Sequence, residues 1–210
     1  MFNINDVLNA LFVQKRLFTS EADFQFALAW EIKNMYSGDD VHLEYRHPNI
    51  MNCGRDSYID IVVEEDGEQI PIELKYKTKG FSRSYNGRVY TLKHHGAQDC
   101  GRYDFWKDVE RLECFIRNNN RAKRGYVIFL TNDSLYWEPT KKTTIDAMFR
   151  IHEGRTNVHG NLAWMGNPSS GTTKGRTANI HLDGNYDITW TNYNLNPDLI
   201  FKYTVVEVVK

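Results

Sequence analysis

Ile59-Asp60-Ile61-Val62-Val63, then Asp66-Gly67, then Ile70-Pro71-Ile72-Glu73-Leu74-Lys75 read as two strands joined by a turn. Asp-Gly between alternating apolar runs is the strongest short-range hairpin signal. With Asp66 and Gly67 at the tip, Asp60 falls directly opposite Glu73. Two carboxylates in that relation repel each other, and a bound cation is the usual remedy. Lys75, two residues after Glu73, emerges on the same face of its strand. The arrangement reads as a metal site with an amine beside it.

The alternation supports that geometry. Ile70, Ile72, Leu74 and Tyr76 line one face of the second strand and leave Glu73 and Lys75 on the other. Ile59, Ile61 and Val63 line the first, leaving Tyr58, Asp60 and Val62 with the acid. A slip of one residue would turn every apolar side chain the wrong way, so the register is well specified. The plainer alternative is a surface hairpin with a polar outer face and a Glu-Lys ion pair. Glu-x-Lys alone is common. An Asp, twelve residues and then Glu-x-Lys, with both acids inside apolar runs and a turn between, is more specific.

The chain has 210 residues, 41% hydrophobic and 25% charged, which suits an ordinary globular protein with one substantial core. Its formal net charge of -1 gives no global sign of nucleic-acid binding, so such a function must come from local clustering. The start carries no cationic segment followed by an apolar run, and no stretch is long and apolar enough for a membrane span. Cys53, Cys100 and Cys114 make an odd count without a Cys-x-x-Cys pair, which argues against zinc and against a full disulfide framework. The expected compartment is the cytoplasm.

Upstream, Val7, Leu8, Leu11 and Phe12 have helical spacing. A second helix is capped by Ser20, with Asp23 as a capping-box-like partner, carries the stripe Phe24, Leu28, Ile32 and Met35, and stops at Ser37-Gly38. Glu21 projects near the centre of that stripe and Glu31 at its edge. Glu21 is read either as a first-turn acid complementing the helix dipole or as a carboxylate reaching the hairpin site; Glu31 is the reserve. Val41–Tyr45 reads as a strand, followed by a loop through Pro48 and Gly54.

From Leu74 to Gln98 the chain holds Lys75, Lys77, Lys79, Arg83, Arg88 and Lys93 and no acid. A charge run is usually a solvated face, but cations without acidic neighbours beside Lys75 suit a phosphate-contacting surface. His94 and His95 suit hydrogen bonding or phosphate contact better than metal ligation. Asp104 reads as the N-cap of a third helix with Phe105, Val109, Leu112 and Ile116 buried, Gln98, Arg102 and Tyr103 lying just before it. Tyr126–Leu130 is a continuous apolar run typical of a strand buried on both faces. Ile145, Met148 and Phe149 suggest a short helix closed by Gly154, Asn167–Arg176 a mobile loop, and Tyr186–Trp190 and Leu199–Val209 strands. The sum is a single α/β domain over 1–210, a central mixed sheet flanked by helices, with a core over about 20–131 and a C-terminal extension over about 132–210.

Asp60, Glu73-Leu74-Lys75 and the acidic helix upstream resemble the PD-(D/E)xK nuclease superfamily, although Ile59 stands where the nominal motif has proline. The resemblance covers about Ser20 to Leu130 and implies a restriction-endonuclease-like fold. It implies a metal-dependent endonuclease hydrolysing phosphodiester bonds in DNA. Asp60, Glu73 and Glu21 would then be metal ligands for Mg²⁺, for which Mn²⁺ would substitute, with Lys75 catalytic beside them. It also implies substrate contacts from Gln98 and Tyr103, to which Lys77, Lys79, Arg83, Arg88, Lys93 and Arg102 are added as candidate nucleic-acid-binding residues. The alternative is a non-cleaving nucleic-acid-binding or protein-interaction domain on the same fold. Restriction or defence, repair and mobile-element processing stay open as roles, as do DNA against RNA and monomer against homodimer.

Overall fold

The structure is a computed structural model in which residues 1–46, 58–140 and 142–210 are described. The expected loop through Pro48 and Gly54 lies outside those residues. The first half of the chain holds α1 (Ile4–Val13), α2 (Glu21–Met35), β1 (Asp40–Tyr45), β2 (Ile59–Glu65), β3 (Glu68–Lys77), β4 (Phe81–Tyr85), β5 (Arg88–Leu92) and α3 (Gln98–Asn118). The second half holds β6 (Arg124–Thr131), β7 (Val158–Leu162), α4 (Ser170–Thr173), β8 (Ile180–Tyr186), β9 (Thr191–Asn196) and β10 (Leu199–Val209).

Six strands make the central sheet in the order β1-β2-β3-β6-β10-β9. All neighbours are antiparallel except β3 and β6, which run parallel, so the sheet is mixed. The Asp66-Gly67 turn joins β2 to β3 with both residues at positive φ, 48° and 84°, which is the turn that matches strand twist. Cα pairing runs from Glu65 with Glu68 to Ile61 with Ile72, the register expected from the sequence. Pro71 fits inside β3 beside Gly125, the second residue of the neighbouring β6, where a Cβ would lie 2.8 Å from the proline ring and from its carbonyl oxygen.

Helices cover both faces. On one side Val7, Leu8 and Leu11 of α1 and Phe24, Leu28 and Ile32 of α2 pack on Ile61, Val63, Ile70, Ile72 and Leu74. On the other, Phe105, Val109, Leu112 and Ile116 of α3 pack on Val62, Val127, Phe129, Val206 and Val208. Ile59 belongs to this second cluster, not to the face of Ile61 and Val63 that strict alternation assigns it. Tyr45 sits against the same cluster while Leu43 packs against the first. Both strands change face at the Glu44–Asp60 step, where Glu44 has φ 48°.

Several boundaries differ from the expectation. The third helix begins at Gln98 behind a left-handed Ala97, so Gln98, Arg102 and Tyr103 lie inside it and Asp104 is not its cap. The short helix before Gly154 is a single 3-10 turn over Ala147–Phe149. The expected loop at Asn167–Arg176 contains α4 and is tied down by Arg176, which pairs with both oxygens of Asp104 at 2.7 Å. Residues 187–190 are not strand: β8 ends at Tyr186 and β9 starts at Thr191. A β7–β8 ribbon, unforeseen from the sequence, lies against α3. Glu113 of α3 accepts from the amides of Asp183 and Gly184 and from the Tyr186 hydroxyl, fixing that contact. Cys114 is disulfide-bonded and Cys100 is a free thiol. No helix among the described residues is long and apolar enough to cross a membrane.

Candidate active site

The β2–β3 ladder ends one step short of Asp60 and Glu73. Beyond that point one edge of β3 is open, and its amides need other partners. The Asp60 carboxylate accepts from Leu74 N at 2.7 Å. Glu21, in the first turn of α2, accepts from Tyr76 N at 2.7 Å. His95 Nδ1 accepts from Thr78 N at 3.0 Å. Three side chains from three segments therefore cap alternate amides of one strand edge. The carbonyl of Asp60, which loses its ladder partner where β1 kinks, accepts from Gln25 Nε2 at 2.7 Å, and Gln25 also bonds Glu44 at 2.9 Å.

On the α3 side, Glu73 and Lys75 emerge together, as their spacing requires. Glu73 is fully buried, so the plain reading of a polar surface hairpin does not hold. Lys75 Nζ lies 2.5 Å from Asp108 Oδ2. Arg111 joins the two acids, its Nη2 2.6 Å from Asp108 Oδ1 and its Nε 2.7 Å from Glu73 Oε1. The second oxygen of Glu73, Oε2, is buried without a hydrogen-bond partner. Four carboxylates (Glu21, Asp60, Glu73 and Asp108) thus stand around two fixed cations, Lys75 and Arg111, an excess of two negative charges when all are ionised.

The charge states follow from burial and neighbours. Loss of solvent pushes the Asp60 carboxyl up to about 6, against the pull of Lys75 and of the Leu74 amide, with Asp108 and Glu21 adding to the rise. Burial drives Glu73 well above the usual carboxylate range, opposed by Arg111 and reinforced by Asp108 and Asp60. Burial works to discharge Lys75, but Asp108, Glu21 and Glu73 outweigh it and raise its pKa. Arg111 is raised in the same way, by Glu73 and Asp108 against its own desolvation. Lys75 is therefore an ammonium here, suited to holding negative charge rather than to taking a proton.

Glu31 faces α1, where its carboxylate accepts from Gln14 Nε2 at 2.9 Å; the structure brings Glu21, not Glu31, to the hairpin. The acid-free stretch folds into the β4–β5 hairpin about Asn86-Gly87, with φ 49° and 76°. Lys79, Arg83, Arg88 and Lys93 are exposed and Lys77 half-buried; Arg83 also donates to the carbonyl of Asp198 at 3.1 Å. Three of the expected substrate contacts have other partners. Arg102 is buried, paired with Asp146 and donating to the Leu135 carbonyl. Tyr103 is buried, its hydroxyl on the Ala178 carbonyl at 2.8 Å and its ring stacked on Trp164. Gln98 bonds Asp133 at 2.8 Å. These three fasten α3 to the C-terminal half through Asp146, Leu135, Ala178 and Asp133.

Sequence reasoning misses Asp108 and Arg111, yet a signal for the acid is there. Asp108 follows Phe105 by three residues and precedes Leu112 by four, so it occupies the apolar stripe of α3, the same anomaly that marks Glu21 in α2. Among the described residues no group of three or more His, Cys, Asp or Glu is preassembled to hold a metal ion. The acids are instead held one by one, by amides and by Arg111. Comparison with known proteins gives no match, whether to a family model, to a curated protein or to a solved structure.

Proposed function

We propose that the protein is a Mg²⁺-dependent nuclease acting on DNA, with a restriction-endonuclease-like arrangement of its core. One observation carries the reading: four carboxylates, carrying an excess of two negative charges when all are ionised, gather about Lys75 and Arg111, and one oxygen of the fully buried Glu73 has no hydrogen-bond partner. A divalent cation would balance that charge and meet that oxygen. The donors suit Mg²⁺, which binds through one or two carboxylates and keeps waters and substrate phosphate oxygens as its remaining ligands, so a complete protein cage is not required. Glu73 and Asp60 would hold it, with Glu21 at the neighbouring amide.

When bound, such an ion polarises the phosphate and acidifies a water. The chain's own groups do the rest. The ammonium of Lys75, held by Asp108, faces the charge that develops on the phosphate. Arg111 favours the ionised form of Glu73 and takes one of its oxygens, leaving the other for the cation. The exposed cations of β4, β5 and the flanking turns, Lys79, Arg83, Arg88 and Lys93, would contact phosphates without reading sequence.

A second reading has its own support. Glu73 and Lys75 already have partners on α3, so a non-cleaving domain that binds nucleic acid would also be electrostatically stable. Incubating the protein with plasmid, linear and branched DNA in Mg²⁺, Mn²⁺ or EDTA separates the two. Cleavage that needs the metal supports the nuclease; retention of DNA without cleavage in any metal supports the binding domain.

A further inference from the structure

We propose that His95 is a further substrate-binding residue of this site, donating its Nε2–H to a non-bridging oxygen of the phosphate that neighbours the one to be hydrolysed. The proposal rests on the nuclease reading above. Its ground is the row of caps on the open edge of β3. Asp60, Glu21 and His95 hold the amides of Leu74, Tyr76 and Thr78, successive positions two residues apart and so roughly 7 Å apart along the strand. His95 continues the line of the two acids by one step.

The hydrogen bonds favour one tautomer of the ring, with both Thr78 N and Thr78 Oγ1 lying 3.0 Å from Nδ1. Thr78 Oγ1 donates its hydrogen to the Lys93 carbonyl at 2.6 Å, so it is not the donor to the ring, and Nδ1 accepts from Thr78 N. With Nδ1 the acceptor of Thr78 N, the neutral imidazole carries its proton on Nε2. The main chain repeats the tie, with His95 N donating to the Thr78 carbonyl at 2.8 Å. No described residue accepts from Nε2. The charged and titratable groups facing the ring are Lys77, Lys93, Glu21 and His94, and burial with the two lysines holds it below the ordinary histidine range, hence neutral. An N–H within the field of the Lys77 and Lys93 ammonium groups suits an anion: the lysines attract it and the imidazole sets its position. A ring that served only to cap Thr78 would need Nδ1 alone.

Two substitutions separate those roles. His95→Asn places an amide oxygen where Nδ1 lies, keeping the Thr78 cap and deleting the distal donor. His95→Gln reaches the Nε2 position with an N–H and loses the cap. The affinity of each for a fluorescein-labelled DNA duplex is measured by anisotropy with Ca²⁺ in place of Mg²⁺, and KM and kcat for cleavage with Mg²⁺. His95→Asn is expected to weaken binding and raise KM by roughly tenfold, the scale of one charge-assisted hydrogen bond, with an unchanged melting temperature. In the wild-type protein, the ¹⁵N resonance of His95 Nε2 should shift when the duplex is added, a readout that needs no variant to fold.

Wild-type affinity and KM in His95→Asn, weaker binding by the Gln variant than by the Asn variant, or an unmoved ¹⁵N resonance would each overturn the role of His95. Cleavage by the wild type with an unaffected Asn variant removes this inference and leaves the nuclease. A wild-type protein that neither binds nor cleaves the duplex removes both.

Discussion

The carboxylate of Asp60 accepts the main-chain N–H of Leu74 at 2.7 Å, standing in for a strand carbonyl at the point where β2 leaves β3. An acid thereby becomes part of the sheet's hydrogen bonding, and its charge is stranded in a poorly solvated place. Burial lifts it from 3.8 to about 6. Between about pH 4 and pH 6 the folded state then holds a proton that the unfolded chain has lost, so metal-free stability falls as pH rises through that window. Asp60→Asn keeps an oxygen for Leu74 N and removes the charge. It should stabilise the metal-free protein at pH 7 by on the order of 2 kcal/mol and be close to neutral at pH 4. Urea melts in EDTA at both pH values check this, and an equal effect at the two would contradict it.

Arg111 is the internal counter-ion of Glu73. Arg111→Ala leaves a fully buried carboxylate without its partner, which should cost about 3–5 kcal/mol at neutral pH. Combining it with Glu73→Gln should cost much less than the sum of the two single changes. A double-mutant cycle from denaturant melts measures the coupling, and additive losses would mean that the pair contributes nothing.

Glu21 and Glu31 share a helix but not a task. Glu21→Gln retains an oxygen for Tyr76 N and loses only charge, so it should weaken Mn²⁺ binding, read by calorimetry, with a stability change within about 0.5 kcal/mol. Glu21→Ala should add a loss of about 1–3 kcal/mol from the uncapped amide. Glu31→Gln should leave metal binding unchanged. Weaker binding in Glu31→Gln with none in Glu21→Gln would reverse the assignment.

The exposed cations supply a salt-dependence test. Replacing Lys79, Arg83 and Arg88 together by Ala should lower the slope of log affinity against log salt by about 0.9 for each phosphate that is no longer neutralised. An unchanged slope would make the β4–β5 hairpin an ordinary solvated face.

The sequence shows the β2–β3 register because an Asp-Gly turn and a period of two leave one solution. It shows β6 and β10 because uninterrupted apolar runs have few alternatives. Tyr85-Asn86-Gly87-Arg88 carries an equally strong turn signal, overshadowed by the charge of the stretch around it. The face change at Glu44 and Asp60 is hidden for a physical reason. A kink shared by two strands leaves the apolar pattern nearly intact, since Ile59 is buried on either face. Arg111 is hidden because an arginine at the rim of an amphipathic helix is ordinary until the opposing acid is known. The start of α3 at Gln98 is masked by a polar opening in which Gln98 and Arg102 are held by Asp133 and Asp146, residues far along the chain.

The measurement closest to the central claim is nicking of supercoiled plasmid by the wild type, Glu73→Gln and Lys75→Ala in Mg²⁺ and in EDTA, with circular dichroism confirming that each is folded. The account predicts nicking by the wild type in Mg²⁺ alone and none by either folded variant. Full nicking by folded Glu73→Gln or Lys75→Ala, or no metal-dependent nicking by the wild type, would contradict it.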